Sequence, residues 1–131
     1  MIQFNDYLSP RIYNEYWFDK PPMYYWLVAG AMHVFGDGEF AARFPAALMA
    51  FLTVIMLYCS ITRLFNERAG FWSALVLATS VQFFYLGKAA VTDTTLLFFL
   101  TGSLLCYLHK QYWLMYVCMA LGTVTKGPIG I

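Results

Sequence analysis

Residues 44–62 read FPAALMAFLTVIMLYCSIT, 19 uncharged residues held between Arg43 and Arg63. A run of about 18 or more apolar residues is long enough to cross the hydrocarbon core of a bilayer as a helix. The next run, residues 69–87, AGFWSALVLATSVQFFYLG, is also 19 residues long and lies between Arg68 and Lys88. Two shorter runs follow: 16 residues between Asp93 and Lys110, and 15 between Lys110 and Lys126. Flanking residues and snorkelling side chains can lengthen both. The pattern predicts an all-α, polytopic helical membrane protein with about four transmembrane helices, over 44–63, 69–87, 91–109 and 111–128.

Composition agrees. The 131-residue chain is 61% hydrophobic and 11% charged, where a soluble domain carries about 25% charged residues. A net charge of +1 gives no footing for nucleic acid. Aromatics make up 20% of the chain, which suits the lipid–water interface. Cys59, Cys106 and Cys118 lie within apolar runs without metal-ligand spacing, so packing is their simplest role.

Upstream of the first span, residues 21–36, PPMYYWLVAGAMHVFG, are apolar but short. Pro21 and Pro22 suit a helix start, where a missing N–H goes unnoticed. Tyr24, Tyr25 and Trp26 crowd the first turns and predict a helix lying at the interface, in contact with lipid. A helix buried in a protein groove satisfies the same pattern. His33 has no second ligand at metal spacing. Residues 1–20 contain neither a spanning helix nor the apolar core of a signal peptide and read as a loop remnant. The whole reads as a single partial domain.

Four antiparallel crossings sort the charges. Arg63, Arg68, His109 and Lys110 fall on one side; Asp19, Lys20, Lys88, Asp93 and Lys126 fall on the other. Charges at membrane-helix ends are costly unless wetted or used. Three lysines with two carboxylates at one rim make a candidate anion site, although ordinary helix-end charges would be distributed in the same way.

The segment YWFDKPPMYYWL, residues 16–27, resembles a signature of bacterial glycosyltransferases of the protein O-mannosyltransferase superfamily. The branch it most resembles includes the lipid A 4-amino-4-deoxy-L-arabinose transferases. FGDGEFAARFPAAL (35–48), RLFNERAGFWSALVLATS (63–80), TDTTLLFFL (92–100) and TKGPIG (125–130) follow in the family's order. The resemblance implies a partial GT-C fold in the bacterial inner membrane with its site on the extracytoplasmic face. It implies a polyprenyl-phosphate-linked sugar donor, such as an undecaprenyl-phosphate sugar, and a lipid A-like lipid or a protein as acceptor. It names no certain cofactor and leaves a divalent metal open.

The family's phosphate-binding lysine falls on Lys20, with Lys126 and Lys88 as further donor-phosphate ligands and Asp19 and Asp93 in support. A fixed cation at the departing phosphate stabilises charge that grows in the transition state, and lysine serves phosphate as a point charge.

The resemblance also has gaps. Family members open with a spanning helix and an acidic Asp-Glu block that supplies the general base for the acceptor. Neither is present here, so no residue is assigned as catalytic, and the chain is expected to be a fragment truncated at both ends. The family topology places Arg11, Lys20, Arg43, Lys88 and Lys126 outside, five of the eight Lys and Arg, where cytoplasmic loops should hold the excess. Two other readings stay open: a non-catalytic membrane subunit that binds anionic lipid or is completed by a second chain, and a small ion path through Lys88, Asp93 and Lys126. The enzyme-fragment reading predicts that the purified chain, given an undecaprenyl-phosphate sugar and acceptor lipid, shows no turnover above a Lys20→Ala control.

Overall fold

The computed structural model describes residues 11–12, 15–16, 23–89 and 91–127. Six helices account for nearly all of them: α1 Met23–Phe35, α2 Glu39–Leu64, α3 Glu67–Thr79, α4 Val81–Lys88, α5 Asp93–Leu108 and α6 Tyr112–Lys126. A two-residue antiparallel pairing, β1 Arg11–Ile12 with β2 Glu15–Tyr16, precedes them. The expected helical architecture is therefore present, with this small hairpin added.

α1 ends at Gly36, whose φ of 82° is open to glycine at no steric cost and whose N–H donates to the Met32 carbonyl. The corner into α2 is fastened by three rings. Phe35 sits 5.5 Å from Phe40 and 4.8 Å from Phe44, and Phe40 and Phe44 are 5.9 Å apart. These are favourable edge and tilted geometries, and they explain the aromatic spacing of the FGDGEFAARF block. Tyr24 reaches across the same corner, its hydroxyl donating to the Ala42 carbonyl at 3.4 Å.

α2 is the organising helix, packing against α1, α3, α4 and α5. It is 26 residues long, and only 28% of its most apolar 18-residue window is buried. A core helix of a soluble protein would hide most of that surface. Phe51, Phe71, Trp72, Val76, Leu104 and Trp113 are likewise exposed, and exposed apolar surface of this extent marks contact with a membrane or with further protein.

The interior is rich in small residues: Ala41, Ala46, Ala50 and Thr53 on α2, Gly70 on α3, Gly87 on α4, Thr94, Thr95, Gly102 and Ser103 on α5, and Gly122 and Thr125 on α6, packed with the larger Phe83, Leu96, Phe99 and Leu105. Small side chains let helix backbones approach closely where lipid offers no hydrophobic drive. Thr53, Ser103 and Thr125 return their hydroxyls to their own helices, bonding the carbonyls of Met49, Leu100 and Leu121.

The uncharged run 69–87 does not form one straight helix. α3 and α4 meet at Ser80 with a bend of 63°. Ser80 adopts ψ 122°, ending α3 with its N–H on the Leu77 carbonyl and starting α4 with its own carbonyl. Thr79 bonds back to Leu75. Such a back-bond slightly destabilises a helix and favours bending. Among the described residues, one helix is long and apolar enough to cross a membrane, or two if the bent pair counts as one span. α5 and α6, with 16 and 15 residues, rise only about 22–24 Å against a core of about 30 Å.

A Cβ at Gly70 would overlap the Thr62 hydroxyl and lie 3.0 Å from the Tyr58 carbonyl oxygen and 3.1 Å from the Thr62 nitrogen. One at Gly102 would meet only the Cys118 sulfur at 3.3 Å and the end of Met56. Backbone atoms cannot retreat and a thioether can. Gly70→Ala should therefore destabilise the chain by about 1–3 kcal/mol despite its gain in helix propensity, while Gly102→Ala should be within about 1 kcal/mol of neutral. Denaturant titration in detergent micelles, followed by helicity, checks the contrast.

Candidate functional site

α5 begins and α6 ends at the same place. The α5–α6 hairpin turns tightly at Lys110, and the two helices make the most extensive pairing in the bundle. Sixteen residues climb and fifteen return, so Asp93 in the first turn of α5 meets Lys126 in the last turn of α6. The Lys126 ammonium donates to Asp93 Oδ1 at 2.5 Å. Each charge also suits its helix end, an acid at an N-terminus and a base at a C-terminus. The side chains remain 38% and 42% exposed. The pair is therefore open to a third group, and Lys126 has two further N–H donors for it.

Beneath the pair lies a groove of about 440 Å³ lined by Leu77 of α3, Phe83 and Leu86 of α4, Leu96, Leu97 and Leu100 of α5, and the polar Ser80, Gln82, Asp93 and Lys126. It carries charge at one end and hydrocarbon along its length, a shape matched to an amphiphile. Leu96 and three neighbouring threonines, Thr92, Thr94 and Thr95, are buried at the foot of α5.

Lys88 takes a different position. Its ammonium sits 4.5 Å from the centroid of the Phe84 ring, one turn back on α4, a cation–π contact. It lines a second groove of about 330 Å³ with Ala47, Ala50, Phe51, Val54 and Gly87. Phe83 forms a wall of both grooves. The structure thus joins Lys126 to Asp93 and sets Lys88 in the adjoining groove. Lys20 and Asp19 lie outside the described residues.

Tyr24, Tyr25 and Trp26 succeed one another on α1, about 100° apart around the axis, and so do not share one face. Tyr24 is buried, Tyr25 half-buried and Trp26 exposed. Burial pushes the Tyr24 phenol up from its ordinary value, keeping the hydroxyl protonated for its bond to Ala42. A raised native pKa stabilises fully below the usual phenol value of about 10 and ceases to do so as pH climbs through the native one.

Sequence reasoning missed Ser80 and Gln82 as groove residues. Their signal was the TSVQ stretch, polar residues in the middle of an apolar run.

The same arrangement of helices occurs in solved structures of ArnT from Cupriavidus metallidurans. The apo form superposes with a TM-score of 0.94 at 24% identity, covering 100% of this chain and 27% of that one. The form bound to undecaprenyl phosphate gives 0.94 at 23%, covering 99% and 26%. The fold is thus that of a helical membrane protein of the ArnT type. Residues 19–131 match the dolichyl-phosphate-mannose-protein mannosyltransferase family, and the chain belongs to that family.

The chain is 31% identical over its whole length to an uncharacterized protein of Aquifex aeolicus, covering 32% of it. It is 30% identical to an undecaprenyl phosphate-alpha-4-amino-4-deoxy-L-arabinose arabinosyl transferase of Yersinia enterocolitica, covering 26% of that protein. The chain therefore spans about a quarter to a third of the length of these relatives.

Asp93 and Lys126 are partly solvated, so their coupling should be modest. A double-mutant cycle of Asp93→Asn and Lys126→Met, read by unfolding in detergent, should return about 0.5–1 kcal/mol. A value near zero would mean that the contact does not order α5 against α6.

Proposed function

We propose that this chain forms the donor-holding part of a membrane glycosyltransferase that takes its sugar from a polyprenyl-phosphate donor. The observation that carries the reading is the open Lys126–Asp93 pair at the charged end of an apolar groove. Family membership and likeness to arabinosyl transferases support it, as does the ArnT fold that holds undecaprenyl phosphate.

In this reading the prenyl chain lies along Leu77, Leu86, Leu96, Leu97 and Leu100, and the phosphate sits at Lys126. Asp93 keeps the ammonium in place while its remaining N–H groups meet phosphate oxygens. Lys20 supplies the cation that the DKPP block contributes in relatives, and Asp19 braces it. Lys88 guards the adjoining groove and meets the phosphate only if Phe83 moves. As the glycosidic bond breaks, the departing lipid phosphate gains charge, and preset cations stabilise that charge without reorganising. The acceptor is an extracytoplasmic hydroxyl, of a lipid A-like lipid or a protein. Its general base is assigned to no residue of this chain. In the membrane α1 lies at the interface, and α2, the bent α3–α4 pair, α5 and α6 make four crossings.

Binding of undecaprenyl phosphate to the chain in nanodiscs, measured by native mass spectrometry, tests the reading. Lys126→Ala and Lys20→Ala should each weaken binding by about 10–100-fold, the range for a charge-assisted hydrogen bond. Undecaprenol, which lacks the phosphate, should not bind measurably. Equal retention of the alcohol, or no loss in Lys126→Ala, overturns it.

A further inference from the structure

The end of the bundle opposite the Lys126–Asp93 pair has a distinct chemistry. Gly102 of α5 packs on Met56 of α2. Seven residues further along each helix lie His109 and Arg63. The first half of α5 lines a groove with the far end of α3 and with α4, so α5 runs the same way as α2. A shared rise of about 10 Å therefore brings His109 level with Arg63. The turns 65–66 and 109–111 thus sit at one end, together with Arg63, Arg68 and Lys110. Glu67 is the single acid among the described residues there.

All three cations are exposed. Among the described residues none has an ion-pair partner: the ion pairs present are Arg43–Glu39 and Lys126–Asp93, both at the other end. Exposed rings surround the cations: Phe71 and Trp72 at the start of α3, Tyr107 at the end of α5, and Tyr112 and Trp113 at the start of α6. Aromatic rings gather at the depth of lipid headgroups.

Lys110 supplies a second observation. The α5–α6 turn closes with Gln111 N–H on the Cys106 carbonyl and Lys110 N–H on the Tyr107 carbonyl. This is the helix ending that calls for a left-handed residue, normally glycine. Lys110 occupies it with φ 59°, and no other non-glycine residue described has a positive φ. A lysine held where glycine fits better keeps a charge at the tip of the turn against a conformational penalty.

We propose that this end of the bundle is a docking surface for anionic phospholipid headgroups, with Arg63, Arg68 and Lys110 meeting lipid phosphates and the aromatic belt setting the depth. The surface is separate from the donor groove and does not depend on it. Three cations against one acid favour an anionic leaflet, each base contributing roughly fivefold to the partition.

The test uses the full chain carrying Trp17→Phe, Trp26→Phe and Trp72→Phe, so that Trp113 alone reports. In mixed vesicles, brominated phosphatidylglycerol should quench Trp113 more than brominated phosphatidylcholine at equal mole fraction. Lys110→Gly relieves the turn and so should raise unfolding stability while reducing the anionic preference. Arg63→Gln with Arg68→Gln and Lys110→Gly should abolish it, and Arg43→Gln at the other end should leave it intact. Raising ionic strength to about 0.5 M should erase the preference in the unaltered chain by screening. Equal quenching by the two lipids, or preference surviving in the triple variant, overturns the proposal. Inorganic phosphate displacing the lipid better than chloride at matched ionic strength also overturns it, since the surface would then be a site for free phosphate.

Discussion

Close approach of helix backbones is the constraint on which everything else depends. In lipid the helices gain little by hiding leucine or phenylalanine from their surroundings, so contact must come from fit. Gly70 abuts the backbone of α2 at Tyr58 and Thr62, Gly87 meets Ala50, and Gly102 accepts Met56 and Cys118. Each glycine lies where a neighbouring helix comes nearest. Many of the large apolar residues, Phe51, Trp72, Val76, Leu104 and Trp113 among them, are exposed, while Phe83, Leu96, Phe99 and Leu105 are buried. Among the described residues the largest fully buried side chains are threonines, Thr53, Thr94, Thr95 and Thr125. Thr53 and Thr125 satisfy their hydroxyls on carbonyls of their own helices, Thr94 reaches the Val91 carbonyl before α5 at 3.5 Å, and the buried Thr95 hydroxyl has no partner among the described residues.

The Asp93–Lys126 pair follows from that packing. Asp93 and Lys126 are 33 residues apart, yet no long-range recognition is needed to join them. A hairpin of two nearly equal helices, closed by a strained Lys110 turn and packed at Gly102, brings the first residue of one to the last of the other. The two helix dipoles then favour the charges that stand there. The amphiphilic groove depends on a second accident of local chemistry. Ser80 breaks the 69–87 run, and the 63° bend swings α4 across the foot of α5. Without the break, Phe83 and Leu86 would continue up the α3 axis and the groove beside Asp93 would lose a wall.

The helices were legible where charge marked their limits. Arg63 and Arg68 bracket the α2–α3 turn, and Lys110 marks the α5–α6 turn. The start of α2 was not, because the helix runs on through Glu39, Arg43 and Pro45. Pro45 lies in the second turn, where it removes one backbone bond, that to the Ala41 carbonyl, so neither the charges nor the proline mark the helix start. The Ser80 break was hidden because hydropathy registers apolar content and not backbone conformation; only the adjacent hydroxyls of Thr79 and Ser80 carried the signal. Grouping charges by the number of crossings put Lys88, Asp93 and Lys126 on one side, but a side is coarser than a site. Phe83 stands between the grooves of Lys88 and Lys126, and no count of crossings can place a single ring.

The two ends of the bundle differ in how their cations are satisfied. At one end Arg43 has Glu39 and Lys126 has Asp93, while Lys88 rests on a ring. At the other, Arg63, Arg68 and Lys110 stand exposed among aromatic side chains, with Glu67 the one acid among the described residues there. Counting lysines and arginines treats these as equal, and physically they are not. A cation already held by a carboxylate presents a weak field to distant anions, so it is a poor attractor for a charged surface. It remains a good host for one bound phosphate, because the carboxylate fixes its position and leaves donors to spare. An unpaired cation on an exposed turn has the opposite character, reaching any headgroup nearby and holding none in a fixed geometry. On the proposed reading the pairing divides one kind of residue between two tasks, a fixed site at one end of the helices and a diffuse electrostatic surface at the other.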